Sequence, residues 1–103
     1  MKLIYTPKAR EDLREIKLYI TDTLQNKIAA DNISKMILKD CSLLKDNPLL
    51  GVDLSGKIDK QTDLRFLIIK NYIAFYKVEN DVIMIIRIRN ARTNYMNIIF
   101  NDK

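Results

Sequence analysis

Three arginines, Arg87, Arg89 and Arg92, stand close together in the run Arg87-Ile88-Arg89-Asn90-Ala91-Arg92, and no acid interrupts them. The nearest carboxylates along the chain are in Glu79-Asn80-Asp81 before the run and at Asp102 beyond it, so nothing local in sequence neutralises the cluster. A guanidinium clamps phosphate or carboxylate with a fork of N–H donors, but it stays protonated and moves no proton. The set therefore reads as a binding surface before it reads as a catalytic one. Arg87 and Arg89 are two apart, which puts them on one face of an extended strand. Two further residues belong in the inventory, Arg65 upstream and Tyr95 downstream. Each has a plainer reading: Arg65 and Arg87 can pair with acids inside the fold, and Tyr95 can pack.

The exclusions are sharper. The chain has no histidine. That removes Ser-His and Cys-His nucleophile pairs, histidine-ligated zinc and histidine acid–base catalysis. The single cysteine, Cys41, can form no internal disulfide and has no companion ligands. No metal or cofactor is expected. Eighteen Lys and Arg against 13 Asp and Glu leave a net charge of +5, which favours an anionic partner: nucleic acid, an acidic protein or an anionic membrane. Charges begin at Lys2, and neither a long apolar run nor a signal-peptide pattern occurs, so no membrane segment and a cytoplasmic location are expected.

These residues must be positioned by one domain, 1–103, since 103 residues support a single modest core. With two Gly and two Pro, most of the chain should lie in regular elements. Leu3-Ile4-Tyr5 reads as a short strand. Thr6-Pro7 opens a helix, Thr6 as the cap and Pro7 at the first position, where its missing N–H costs nothing. Ala9, Leu13, Ile16 and Ile20 then mark one helical face, with Arg10, Arg14 and Lys17 largely opposite. The helix is expected to fray over Asp22 to Asn26. A second helix runs from about Lys27 to Asp46 with the stripe Ala30, Ile33, Ile37, Cys41 and Leu44, and Asn47-Pro48 stops it. Cys41 sits inside that stripe as a small core residue.

Leu49 to Lys60 reads as a loop. Asp63 to Lys70, Tyr72 to Glu79 and Val82 to Arg89 are rich in Ile, Val, Phe and Tyr and read as strands, with turns at Lys70-Asn71 and Asn80-Asp81. Thr93 to Phe100 is a short helix or an extended tail. The order predicts an α+β domain with a helical hairpin on one face of an antiparallel meander. The strand Val82 to Arg89 is apolar on both faces. Regular alternation puts Ile83 and Ile85 on the same face as Arg87 and Arg89. That face is either buried under the C-terminal tail or an apolar groove with a basic end for a partner, the second being preferred.

The segment Ile4-Tyr5-Thr6-Pro7-Lys8-Ala9, with Asp12-Leu13, Ile16, Tyr19 and Ile20 after it, is similar to the opening of RelE/ParE superfamily toxins of type II toxin–antitoxin systems. Pro48 and Gly51 resemble the family's P-x-x-G, and Arg65 fits an arginine early in the next strand. Tyr72-Ile73-Ala74-Phe75-Tyr76-Lys77-Val78 resembles its central strand, and Arg87-Ile88, Arg92, Tyr95 and Phe100 its closing motif. The resemblance covers nearly the whole chain. It implies a small curved antiparallel sheet with an N-terminal strand and helical hairpin. It also implies a cognate antitoxin that wraps an acidic, otherwise disordered segment around the toxin and binds the operon's promoter DNA.

The superfamily divides by target, DNA gyrase for ParE-type members and ribosome-bound mRNA for RelE-type endonucleases. RNA cleavage by 2′-hydroxyl attack needs a base, positive charge for the phosphorane and an acid for the leaving oxygen. RelE-type members often carry an arginine where this chain has Ile73, and many members a histidine where it has Asn90. A gyrase inhibitor is therefore the first expectation, with Arg87, Arg89 and Arg92 as target-binding residues and Ile83, Ile85, Arg87 and Arg89 as antitoxin-binding residues. An mRNA endonuclease with a diverged site is the alternative, its candidates being Arg65, Arg89, Arg92 and Tyr95. A degenerate toxin kept as a binding module is the plainest reading.

Overall fold

The computed structural model describes residues 1–56 and 62–92. Tyr95 and the segment Thr93 to Phe100 lie outside them, as do residues 57–61. The chain opens with β1 (Lys2–Tyr5), then α1 (Pro7–Leu18). Thr6 caps α1 as expected: its Oγ1 accepts from Ala9 N–H at 3.1 Å, with Pro7 next in line. Where fraying was expected, α1 widens into a π-helical turn at Tyr19–Thr23, and Gln25 takes a left-handed φ of 50° to reverse the chain. Asn26 caps α2 (Lys27–Ser42) by accepting from Ala29 N–H at 3.0 Å. A 3-10 turn, Leu43–Lys45, tightens the end of α2 ahead of Asn47-Pro48.

The expected loop contains a two-residue strand, β2 (Val52–Asp53), and a 3-10 turn, Leu54–Gly56. β3 (Arg65–Ile69), β4 (Tyr72–Glu79) and β5 (Val82–Asn90) form the meander. Asn80 and Asp81 both take left-handed φ, 51° and 63°, which matches the twist of a two-residue hairpin. β1 joins the sheet on the far side of β5 and runs parallel to it, giving the order β1-β5-β4-β3-β2.

The hairpin packs on one face of this sheet. Ala9, Ile37, Cys41 and Leu44 from the helices bury against Ile69, Ala74, Tyr76, Ile83, Ile85 and Ile88 from the strands. A second, smaller cluster on the opposite face joins Leu54, Ile73 and Phe75, with Leu64 and Phe66 packed on it. β5 changes parity between the two hairpin ends. Tyr76 pairs with Ile85 but Phe75 pairs with Arg87, so Ile86 is an extra residue in β5. Such a bulge reverses which face every later side chain takes. Ile83 and Ile85 therefore share the helix-side core with Ile88, not with Arg87 and Arg89.

This corrects the expected antitoxin face. Ile83 and Ile85 are 0 % exposed and already covered by the hairpin. The residues that share the helix-free side with Arg87 and Arg89 are Ile73 and Phe75, their partners across β4.

Candidate functional site

β1 accompanies β5 only from Val82 to Ile85. At Thr6 the chain turns into α1, closing the junction with two bonds: Thr6 N–H donates to Ile85 O at 3.0 Å and Thr6 Oγ1 to Ile86 O at 2.9 Å. Beyond that point α1, not a strand, lies along the edge of β5. Asp12, on the second turn of α1, takes over the missing strand's role. Its Oδ2 accepts from Ile88 N–H at 2.9 Å and from Arg87 Nε at 2.8 Å. Its Oδ1 accepts from Arg87 Nη2 at 3.1 Å and Arg89 Nη1 at 3.3 Å. The carboxylate is 4 % exposed. A buried charge needs this many donors to offset its lost hydration.

The expectation of an unneutralised cluster is thus overturned. The neutralising acid comes from a helix far away in sequence, and Arg87, at 9 % exposed, is consumed by it. Arg87 offers no free fork to a target or antitoxin. Arg89 is half-committed, with one long bond to the same carboxylate and a buried Nε–H that has no partner. Arg92 is exposed, and its backbone N–H donates to Asn90 Oδ1 at 2.9 Å, which shapes the turn leaving β5. Its side chain holds no ion pair or hydrogen bond among the described residues. Of the three arginines it is the one presented outward.

Arg65 also has a structural task. Its Nη2 donates to Gly51 O at 2.7 Å and Leu49 O at 3.3 Å, pinning the segment that follows α2. Tyr76 works on the same segment, donating to Pro48 O at 2.9 Å while accepting from Gly51 N–H at 2.9 Å. The Pro48-x-x-Gly51 motif is explained by this contact. A Cβ at Gly51 would lie 2.4 Å from Phe66 O and 2.6 Å from Tyr76 Oη, so only glycine fits against the strand. Sequence reasoning assigned no role to Asp12 or Tyr76, although both fall in the matched motifs.

Alongside the clamp runs a groove between α1 and the end of β4 and β5. One cavity of about 300 Å³ is walled by Ile16, Tyr19, Tyr72 and Ile88, with Asp12, Glu15, Arg89 and Asn90 at its polar side. A second, of about 250 Å³, continues past Arg89 and Arg87 to Glu11 and Lys8. Burial raises the Tyr72 phenol above its ordinary range, and the neighbouring Tyr19 adds to the effect. The described residues contain no group of three or more His, Cys, Asp or Glu that could hold a metal ion. Nor is any described helix long and apolar enough to cross a membrane.

No curated protein matches the sequence. Among solved structures, the chain is similar to a protein of the chromosomal ParDE toxin–antitoxin system from P. aeruginosa, with a TM-score of 0.73 and 23% identity over 87% of this chain and 95% of that one. That likeness shows the fold. The model of the ParE toxin of type II toxin–antitoxin systems (parDE) matches residues 3–95, and the chain belongs to that family of toxins.

Proposed function

We propose that this toxin acts by binding, as an inhibitor of DNA gyrase, and that a cognate antitoxin with an acidic segment neutralises it. The observation that carries the reading is Ile73. It occupies the position where RelE-type members often carry an arginine, and here it is 6 % exposed within an apolar cluster. Its neighbour across the sheet, Arg89, is drawn toward Asp12. Asn90 fills the place of the closing-motif histidine, and a carboxamide neither gives nor takes a proton at neutral pH. What remains outward is Arg92, and an exposed guanidinium suits contact with an anionic protein surface. The P. aeruginosa neighbour belongs to a toxin–antitoxin system, which supports the antitoxin partner.

The test is expression of the toxin without its antitoxin, scoring transcripts and DNA together. The proposal expects a DNA-damage response and loss of supercoiling with transcripts intact. Codon-specific cuts in translated message, lost on Arg92→Ala, would overturn it in favour of an mRNA endonuclease.

A further inference from the structure

We infer that the outer flank of the helical hairpin binds the phosphate backbone of duplex DNA, through Arg10, Arg14, Lys27, Lys35 and Lys39. This contact goes beyond the gyrase reading. It is measured with toxin and DNA alone, so it stands or falls apart from that reading.

Charge on α1 is divided between its two flanks. Toward β5, Glu11, Asp12 and Glu15 line one cavity with Lys8, Arg87 and Arg89, so acids and cations balance there. The other flank carries Arg10, Arg14 and Lys17, at steps of four and three, and no acid. Lys17 Nζ lies 3.2 Å from Asp31 Oδ1, so this flank is the one that meets α2. Steps of four along α2 lead from Asp31 back to Lys27 and on to Lys35 and Lys39. The two rows therefore border each other, and Asp31 is the one acid in them. All six cations are exposed. Apart from Lys17, none has an ion pair or a side-chain hydrogen bond among the described residues. Six cations against one acid leave a surplus equal to the +5 of the whole chain, so the rest of the molecule is neutral on balance.

A surplus gathered on one exposed flank fits a partner whose own charge is dense and regular. The α2 row is about 18 Å long and the α1 row about 10 Å, at 1.5 Å per residue. Cations four residues apart are spaced by about 6 Å along the helix. The phosphates of one DNA strand follow each other at about 3.4 Å of axis, so alternate phosphates keep nearly in step with the cations. Flexible exposed stems need no pocket for such contacts, and phosphate contacts position a protein on the duplex without reading its sequence. Duplexes of different sequence should therefore bind alike. If the toxin acts on gyrase, this flank holds it on the duplex that the enzyme works on.

The experiment titrates the full-length toxin into a fluorescently labelled 20-base-pair duplex and reads anisotropy over a range of salt concentrations. Five unpaired cations predict a slope of log affinity against log salt of about −4.5. Arg14→Gln with Lys35→Gln, at two exposed positions, should make that slope shallower by about two and weaken binding at least tenfold at low salt. Lys70→Gln, at the exposed turn between β3 and β4, should leave both unaltered. Circular dichroism on each variant separates lost contact from lost fold, and the wild-type slope is a second readout that needs no variant. A wild-type toxin that leaves the duplex free at low salt overturns the inference, and so does a slope shallower than about −2. If the double variant binds DNA like the wild type, the duplex lies on another surface and the inference fails. If it keeps DNA and loses the antitoxin instead, the flank belongs to an acidic protein segment and the inference again fails. Inhibition of gyrase by a wild-type toxin that binds no duplex would leave the gyrase reading standing alone.

Discussion

Asp12 makes bonds to three residues of β5, and this divides the arginines into internal and external ones. Removing one side of a buried ion pair leaves the other charge stranded, at about 3–5 kcal/mol. Asp12→Ala should therefore cost stability of that order, read as a fall in the urea midpoint, and Arg87→Ala should do the same. Arg92→Glu should leave the melting curve within the range of ordinary surface changes, about 0.5 kcal/mol, and yet abolish toxicity. If Arg92→Glu folds normally and stays fully toxic, the outward arginine is not the functional group. The arginine cluster was legible in sequence, but its neutralisation was not. Arg87 and Asp12 are 75 positions apart, and a search for acids along the local chain cannot find a partner supplied by packing. Tyr76 was legible only as a motif match. Its hydroxyl joins Pro48 O and Gly51 N–H, so Tyr76→Phe should orphan both and cost about 1–3 kcal/mol by chemical denaturation.

The elements themselves could be read where local chemistry decides them. Thr6-Pro7, Asn47-Pro48 and Asn80-Asp81 ended or turned the chain where their side chains and ring constraints required. β5 resisted because strict alternation holds only in an unbroken ladder. The bulge at Ile86 is a pairing event between two strands, and no residue type in Ile85-Ile86-Arg87 announces it. The parallel docking of β1 on β5 and the short β2 are likewise set by distant neighbours. The α2 stripe, by contrast, was read correctly through Cys41. Burial pushes the Cys41 thiol up to about 11 from 9.0, with the nearby Asp40 charge adding and the Tyr5 hydroxyl opposing. Tyr5 lies beside it without a well-formed hydrogen bond, and its phenol is raised too, mainly by burial. Both groups are neutral in the fold and ionise earlier once unfolded. The thiol's contribution is thus intact below pH 9 and is lost as pH rises through about 9 to 11, while the phenol's begins to be lost only above its ordinary value of 10.0. Unfolding midpoints should fall across that window in the wild type and fall less in Cys41→Ala. A slope unaltered by Cys41→Ala would place the thiol outside the core.

For the whole molecule, the charge of +5 and the two-sided sheet set how it meets partners. One sheet face is spent on the hairpin. The other carries a small apolar cluster of Leu54, Ile73 and Phe75, with Ile68 of β3 exposed beside it. A partner that covers apolar surface as well as arginines should lose only part of its affinity in salt, since screening acts on exposed charge. The antitoxin complex should therefore weaken but persist at ~1 M salt, where the Debye length is about 3 Å. Complete dissociation there would mean that charge alone holds it. The central claim is that this toxin inhibits gyrase by contact and cuts no RNA. It is tested most directly with the purified toxin in a gyrase supercoiling reaction on relaxed plasmid. The account predicts dose-dependent loss of supercoiled product, reversed by adding antitoxin and absent with Arg92→Glu. Undiminished supercoiling at saturating toxin, with message cleaved when the same preparation is added to translating ribosomes, would contradict it.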